Sequence, residues 1–391
     1  MKALRNYLDK IKPNFEEGGK LAMFRSVFEG FETFLFVPST TSKSGVHIHD
    51  YIDSKRTMTV VIIALLPALL FGMYNVGYQH NLAIGADPGF LMTFIFGFLA
   101  VLPKIIVSYV VGLGIEFAVA QVKKEEIQEG FLVSGILIPM IVPVDTPLWM
   151  IAVATAFGGT GYNVFNVALV TRAFLFFAYP AAMSGDQVFV RTADTFGIGG
   201  GQVVDGFSGA TPLGQVAIAG KELIGSFQAV DVLGHPISTW DMFLGLIPGS
   251  IGETSVLAIL IGAVILLFTK IASWKTMVSV FVGGAVMSLI FNMIGTTVAM
   301  CVSPLDHLFL GGFAFGAVFM ATDPVTSART ETGKYIYGFL VGAMAIIIRA
   351  LNPGYPEGMM LAILLMNVFA PLIDYYVVEA NINRRLKRVI K

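Results

Sequence analysis

Residues 57–76 read TMTVVIIALLPALLFGMYNV, twenty positions without a charged side chain. A helix needs about 20 apolar residues to cross the hydrocarbon core of a bilayer, and this run supplies them in one piece. Nine further apolar segments follow, at about 91–120, 130–143, 149–160, 163–182, 254–269, 276–299, 308–321, 335–350 and 358–378. Only 13% of the 391 residues are charged, where a soluble domain carries about a quarter. The fold class expected is an all-α integral membrane protein with about ten transmembrane helices.

Charge orients the spans. Alternate threading from an inside N-terminus makes 1–56, 121–129, 270–275, 322–334 and 379–391 cytoplasmic, and these hold 20 of the 25 Lys and Arg. The positive-inside rule thus predicts both termini on the cytoplasmic side. Lys104 and Arg172 fall within segments, Arg349 at a helix edge, and Arg191 and Lys221 in an outside loop. Five regions are expected: a cytoplasmic 1–56, a first membrane half 57–182, an extracytoplasmic loop 183–253, a second half 254–378 and a basic tail 379–391. Segments 130–143 and 149–160 are too short to span and adjoin Pro or Gly, which suits half-helices ending inside the membrane; the alternative is a misplaced boundary. Glu129-Gly130 and Glu357-Gly358 each open an apolar stretch with a proline 14 residues after the glutamate, either an internal repeat or a coincidence.

The same composition excludes other classes. A net charge of −1 leaves no basic field for nucleic acid. A single cysteine, Cys301, rules out a disulfide framework or an iron–sulfur cluster held by this chain alone. The first 56 residues are polar and lack the apolar core of a signal peptide, so they are expected in the mature protein. Within them Leu21, Phe24, Phe28, Phe31 and Leu35 recur at helical spacing, flanked by Lys20, Arg25, Glu29 and Glu32. This is an interfacial helix, with a binding role for Glu29 as the sharper reading.

The loop 183–253 is Gly-rich and too long for a mere connection. It contains Gly197-Ile-Gly-Gly-Gly201 and Asp205-Gly-Phe-Ser-Gly-Ala-Thr-Pro212, turn-forming residues whose amides and hydroxyls can receive a phosphate. Asp205, Ser208, Gly209, Ala210 and Thr211 resemble the sequence Asp-x-x-Ser/Thr-Gly-Ala-Thr/Ser, at which a flavin transferase joins FMN through its phosphate to the last hydroxyl. Around it, Arg172-Ala-Phe-Leu-Phe-Phe-Ala-Tyr-Pro180, Ile247-Pro-Gly-Ser-Ile-Gly-Glu253, Gly311-Gly-Phe-Ala-Phe-Gly316, Met320-Ala-Thr-Asp-Pro324 and Asn352-Pro-Gly-Tyr-Pro-Glu-Gly-Met-Met360 resemble, in order, the NqrB/RnfD family. These are flavin-bearing membrane proteins of Na+-translocating NADH:quinone oxidoreductases and of Rnf complexes. The likeness covers nearly the whole chain, and the long N-terminal segment and the Pro-Glu-Gly-Met-Met stretch favour the quinone-reductase branch.

The resemblance implies covalent FMN on Thr211, with Asp205 either recognised by the transferase or simply forming a turn. It implies a noncovalent riboflavin contacted by Asn163 and Asn166, with Asp323 as a second contact. Helix capping is the competing reading for the asparagines, and an N-cap followed by proline for Asp323. It associates Glu116 with Na+ uptake or the quinone region, as it does Glu29 and Asp374; snorkelling interfacial charges are the alternative. Gly112 matches one of a family glycine pair near the quinone, while Leu113 replaces the other. Two departures weaken the riboflavin expectation: a stretch before Gly158 is missing relative to the family pattern, and Val167 stands where proline is usual.

The function implied is electron transfer from FMN through riboflavin to quinone, coupled to Na+ export across a bacterial cytoplasmic membrane. Partner subunits must supply NADH chemistry, because no strand followed by Gly-x-Gly-x-x-Gly and a helix is present. The RnfD-type component of a ferredoxin:NAD+ oxidoreductase and a non-redox channel or secondary transporter remain as alternatives.

Overall fold

Asp53 starts the first span: its carboxylate accepts a hydrogen bond from Arg56 N at 3.0 Å, and Ser54–Ile84 then runs as one 31-residue helix. The computed structural model describes residues 2–16, 18–36, 44–46, 53–123, 130–158, 164–185, 188–219 and 221–389. Helices in order are α1 Lys2–Ile11, α2 Arg25–Leu35, α3 Ser54–Ile84, α4 Phe90–Lys123, α5 Phe131–Met140, α6 Leu148–Gly158, α7 Val167–Ala178, α8 Pro212–Ile218 and α9 Thr239–Leu244. They continue with α10 Val256–Phe268, α11 Trp274–Ile294, α12 Val298–Cys301, α13 Pro304–Phe309, α14 Phe313–Phe315, α15 Glu331–Leu351 and α16 Met359–Val389. The described residues form no strand, only isolated bridges at Thr195–Ile198 and Val230–Pro236.

The ten apolar segments divide by length. Five helices, α3, α4, α11, α15 and α16, are long and apolar enough to cross a membrane. Four others, α5, α6, α7 and α10, hold only 10 to 13 residues, about 15–20 Å of helix. The segment 130–143 is thus a short helix, as its prolines predict. The segment 308–321 is broken: α13 and α14 are followed by a π-turn, Gly316–Met320, closed by Ala321 N donating to Gly316 O at 2.7 Å.

Short helices leave open backbone ends that lipid cannot satisfy. Here the chain satisfies them. The end of α5 meets the irregular segment 247–255: Gly252 N donates to Met140 O at 2.7 Å and Ile251 N to Val142 O at 3.4 Å. That segment lies flat on α3, and a Cβ on Gly72 would come within 1.8 Å of Ile251 O. The irregular backbone is therefore enclosed by protein. One continuous core runs through it, including Leu65, Ile138, Ile141, Ile151, Leu169, Ile259 and Phe313.

Two ends of the bundle can be distinguished. The near end is where α3 begins and α4 finishes; the far end holds the α3–α4 turn and the loop 183–253. His80 ties that loop down, since its Nδ1 bonds Arg191 O at 2.7 Å and its Nε2 accepts from Gly200 N at 3.2 Å. Gly199 must be glycine there, with φ +75° and its Cα pressed on His80 and Phe96. At the near end Phe28 of α2 stacks on Phe15 at 4.6 Å, so part of the amphipathic face is covered by the chain itself.

Candidate functional site

The expected residues separate into a far-end group and a near-end group. Thr211 at the far end is the N-cap of α8: its Oγ1 accepts a hydrogen bond from Gly214 N at 3.1 Å. Pro212 at the first helical position suits that start. Ahead of it Asp205 and Gly206 form an exposed turn, Ser208 is half-buried, and Gly209 and Ala210 are buried. Gln215 fastens the segment, donating to Ala210 O at 3.1 Å and Val230 O at 2.8 Å and accepting from Val230 N. Thr211 is half-buried and its hydroxyl oxygen keeps one amide as donor, an arrangement that esterification at the same oxygen leaves in place.

Thr211 lines a cavity of about 20 Å3 together with Glu253, Gly311, Gly312 and Glu357. Behind it lies a buried ion cluster. Arg172 of α7 donates from Nη1 to Glu253 Oε1 at 2.7 Å and from Nη2 to Glu357 Oε2. Arg349 of α15 donates to the carbonyls of Glu357, His307, Leu310 and Gly311. Arg172 is 2% exposed and Arg349 3%, so both guanidinium groups depend wholly on these partners. Two positive and two negative charges thus join α7 of the first half to the approaches of α10 and α16 in the second. Gly312, at φ +67°, lets its Cα rest on the Glu253 carboxylate.

This cluster is what reading the residues one at a time misses. Its signal was present, because Arg172, Glu253, Gly311 and Glu357 each lie in a different one of the motifs that carry the family resemblance. Four motifs scattered over nearly two hundred positions meet at one place.

Glu116, Asn166 and Asp323 share a near-end cavity of about 150 Å3, walled by Phe131, Leu137, Phe165, Leu266 and Phe319. Asn166 both caps α7, its Oδ1 accepting from Leu169 N at 3.3 Å, and donates from Nδ2 to Asp323 Oδ2 at 3.2 Å. The capping reading and the site reading therefore hold together. Asp323 does not cap a helix, as the following proline implied. Its carboxylate accepts from Val325 N and the Thr326 hydroxyl, each at 3.0 Å, inside a turn that precedes α15. Glu116 is 7% exposed, and its Oε2 has no partner among the described residues. Asn163 lies outside the described residues. Gly112, one turn from Glu116, receives the Phe131 ring: a Cβ there would fall 1.7 Å from Phe131 Cζ.

Glu29 and Asp374 do not join this group. Glu29 accepts from Arg25 Nε one turn earlier, at 2.8 Å, and stays partly exposed. The buried carboxylate of α2 is Glu32, paired with Arg5 at 3.1 Å and Lys12 at 2.9 Å. Asp374 accepts from Arg329 N at 2.7 Å, Thr330 N at 3.0 Å and the Thr330 hydroxyl at 2.6 Å, holding the start of α15. Among the described residues no group of three or more His, Cys, Asp or Glu is arranged to hold a metal ion.

Comparison with known proteins agrees over the length of the chain. A protein from Chromohalobacter salexigens is 44% identical over 98% of this chain and 96% of its own length. Proteins from Pseudomonas aeruginosa PAO1 and Klebsiella pneumoniae are each 43% identical over 98% of this chain and 99% of theirs. All three are named as the same subunit of a Na(+)-translocating NADH-quinone reductase. The model of one family matches residues 41–383, a span that takes in both cavities and the ion cluster between the two halves, and the chain accordingly belongs to the NQR2, RnfD, RnfE family.

Proposed function

We propose that this chain is the flavin-bearing membrane subunit of a Na+-translocating NADH:quinone reductase, working with partner subunits that oxidise NADH. The observation that carries the reading is near-end-to-end similarity to proteins named as one subunit of such a complex, in a chain whose Thr211 caps a helix above a buried ion cluster. Thr211 would hold FMN as a phosphoester placed by a flavin transferase. Asn166 and Asp323, with Asn163 three residues before Asn166 in sequence, would hold riboflavin; the near-end cavity lined by Asn166 and Asp323 has apolar walls and few amide and carboxylate groups, which suit a mixed heterocycle. Bound flavins would supply one- and two-electron transfer, matching a carrier chain that ends on a two-electron quinone.

The chain's own residues would then do three things. The Gln215 bonds and the Thr211 cap hold the attachment point still. The Asn166–Asp323 bond orients an amide and a carboxylate toward the near-end cavity. Glu116, with a carboxylate oxygen free of protein donors among the described residues, offers a position for Na+ beside that cavity. The near end would face the cytoplasm and the far end the outside of the bacterial inner membrane, as the Lys and Arg distribution favours. Moving one Na+ outward costs about 2.3 kcal/mol per 100 mV of opposing potential, which quinone reduction must supply.

The test is in-gel fluorescence. The chain is expressed beside a flavin transferase, denatured, and viewed under ultraviolet light next to Thr211→Ala. A bright band that the variant loses supports the reading. A dark wild-type band, with the transferase active on another substrate, overturns it.

A further inference from the structure

The segment that carries Thr211 is folded shut. Ala210 is 8% exposed and Leu213 4%, and Gly209 and Pro212 are buried with them. The Thr211 oxygen accepts from Gly214 N. Of residues 205–213 only Asp205 and Gly206 are exposed. An enzyme that reads a sequence must touch the residues that spell it, and here the residues on both sides of the acceptor hydroxyl face protein.

Two contacts keep the segment closed. The first is Gln215, whose Nε2 donates to Ala210 O at 3.1 Å and Val230 O at 2.8 Å while its Oε1 accepts from Val230 N at 2.8 Å. Val230 is a fixed keeper. It belongs to a hairpin in which Asp231 N donates to His235 O at 2.7 Å and Ile237 N to Ala229 O at 2.8 Å, and the neighbouring Val232 is buried with Ala83 of α3 and Val190. The second contact is Leu213, in a small cluster with Met242, Ile247 and Leu310 that the bundle core does not include. Ahead of the segment, Val204 N is tied to Ala83 O at 2.9 Å. Gly206 follows at φ +80°, with open space around its Cα, and supplies a hinge. Swinging out about Gly206 breaks the Gln215 and Leu213 contacts and unwinds α8, and no membrane-crossing helix has to open.

We infer that Gln215 is a latch that gates flavin attachment: the transferase acts on 206–215 while the segment is swung out, and the three Gln215 bonds then close it onto the bundle. The inference rests on reading Thr211 as the flavin acceptor. In the open segment the Thr211 oxygen bonds to the flavin-side phosphorus of a flavin dinucleotide. The diphosphate P–O bond breaks, a nucleoside monophosphate leaves, and the hydroxyl proton passes to a base of the transferase. No oxidant or reductant is consumed. A chain that has already folded is then modified only as fast as its latch opens.

The experiment uses the full chain, made without transferase and purified in detergent micelles, to which transferase and flavin dinucleotide are added. Growth of the fluorescent band on a denaturing gel gives the attachment rate, and hydrogen exchange over 205–218 in the unmodified chain gives the opening of the segment. Gln215→Met keeps the length and loses all three bonds, so it is expected to raise both rates by about tenfold or more. A residue that merely supported the site would slow attachment when removed, whereas a latch speeds it. Leu213→Ala should act in the same direction, and Gln215→Ala decides the matter if the methionine variant does not fold. Tyr109→Phe, which loses the bond to Leu132 O on α5, should leave both rates at the wild-type value. Bands that grow equally fast in wild type and Gln215→Met, exchange that Gln215→Met leaves unchanged, or a Tyr109→Phe chain as fast as Gln215→Met overturn the latch. A wild-type chain that stays dark even when made beside the transferase overturns the acceptor reading instead, and the exchange comparison still decides whether Gln215 holds the segment shut.

Discussion

Replacing Arg172 by methionine tests whether the cluster below Thr211 holds the two membrane halves together. The guanidinium makes two charge-assisted bonds, one to Glu253 and one to Glu357, and is 2% exposed. Methionine fills much of the volume but leaves both carboxylates without that partner. Removing one member of a buried ion pair costs about 3–5 kcal/mol. Arg349 remains close enough to act on Glu253, which puts the expectation near the lower bound, about 3 kcal/mol, or roughly a 150-fold loss in the folding equilibrium. Cys301, the only thiol, sits beside the His307–Arg349 region and is half-buried, so its labelling rate reports opening of the far end. In detergent micelles, the variant should label at a midpoint well below wild type on heating. Arg172→Met with Glu253→Met and Glu357→Met should recover most of the loss, because apolar replacements of a buried ion cluster are often neutral. The reasoning fails if the single variant stays within about 1 kcal/mol of wild type, or if the triple variant is no more stable than the single.

Three further outcomes follow. Burial and the neighbouring Arg349 push the His307 imidazole down to about 3, so His307 stays neutral when folded while the unfolded chain protonates below about 6.5. Its contribution is complete above that value and shrinks as pH falls, by about 2 kcal/mol at pH 5; His307→Gln should therefore lose less stability than wild type between pH 6.5 and 5, read by the same thiol assay. Gly112→Ala drives a methyl into the Phe131 ring and should cost about 1–3 kcal/mol by overpacking, with Phe131→Leu added in the same chain restoring it; equal stability of the two would show that the ring moves freely. Asn166→Ala removes both the α7 cap and the bond to Asp323 and should cost about 2 kcal/mol, whereas Asn166→Ser, which retains a cap, should cost visibly less in a thermal scan.

Much of the architecture was legible because its signals are local. The uncharged run 57–76 is one helix, α3, and the prolines around 139–147 end α5 as short-helix patterning requires. Thr211, singled out as an attachment residue, is also the N-cap of α8, a role that a Thr-Pro start allows. What periodicity could not show is which distant groups meet. Asn166 and Asp323 are 157 residues apart, and nothing in their neighbourhoods states that an amide and a carboxylate will share a hydrogen bond. The buried cluster was hidden for the same reason: Arg172 lies within a segment, Glu253 in a loop, Arg349 at a helix edge and Glu357 before the last span, and no one of these stretches names its partners. Glu29 and Glu32 show the same limit within one helix: both lie on α2, and only tertiary contact with Arg5 and Lys12 decides which carboxylate is buried. The turn at Asp323 differs from the alternative reading as a cap because Val325 N and the hydroxyl of Thr326, two residues after Pro324, bond the carboxylate within the turn.

The π-turn at Gly316–Met320 makes the near-end cavity sensitive to chain length rather than to chemistry. It holds one residue more than an α-helical turn needs, between Phe315, locked in the core, and Thr322 and Asp323 at the cavity wall. Deleting one residue would remove that surplus and let the turn close as an α-helix with Asp323 kept in phase, whereas inserting one would turn everything after it by about 100°. After an insertion Asp323 would leave Asn166 while every side chain of the cavity remained in the sequence. Single-alanine insertions along 316–320 should therefore behave alike, wherever they are placed, which is the signature of a phase requirement rather than of five separate contacts.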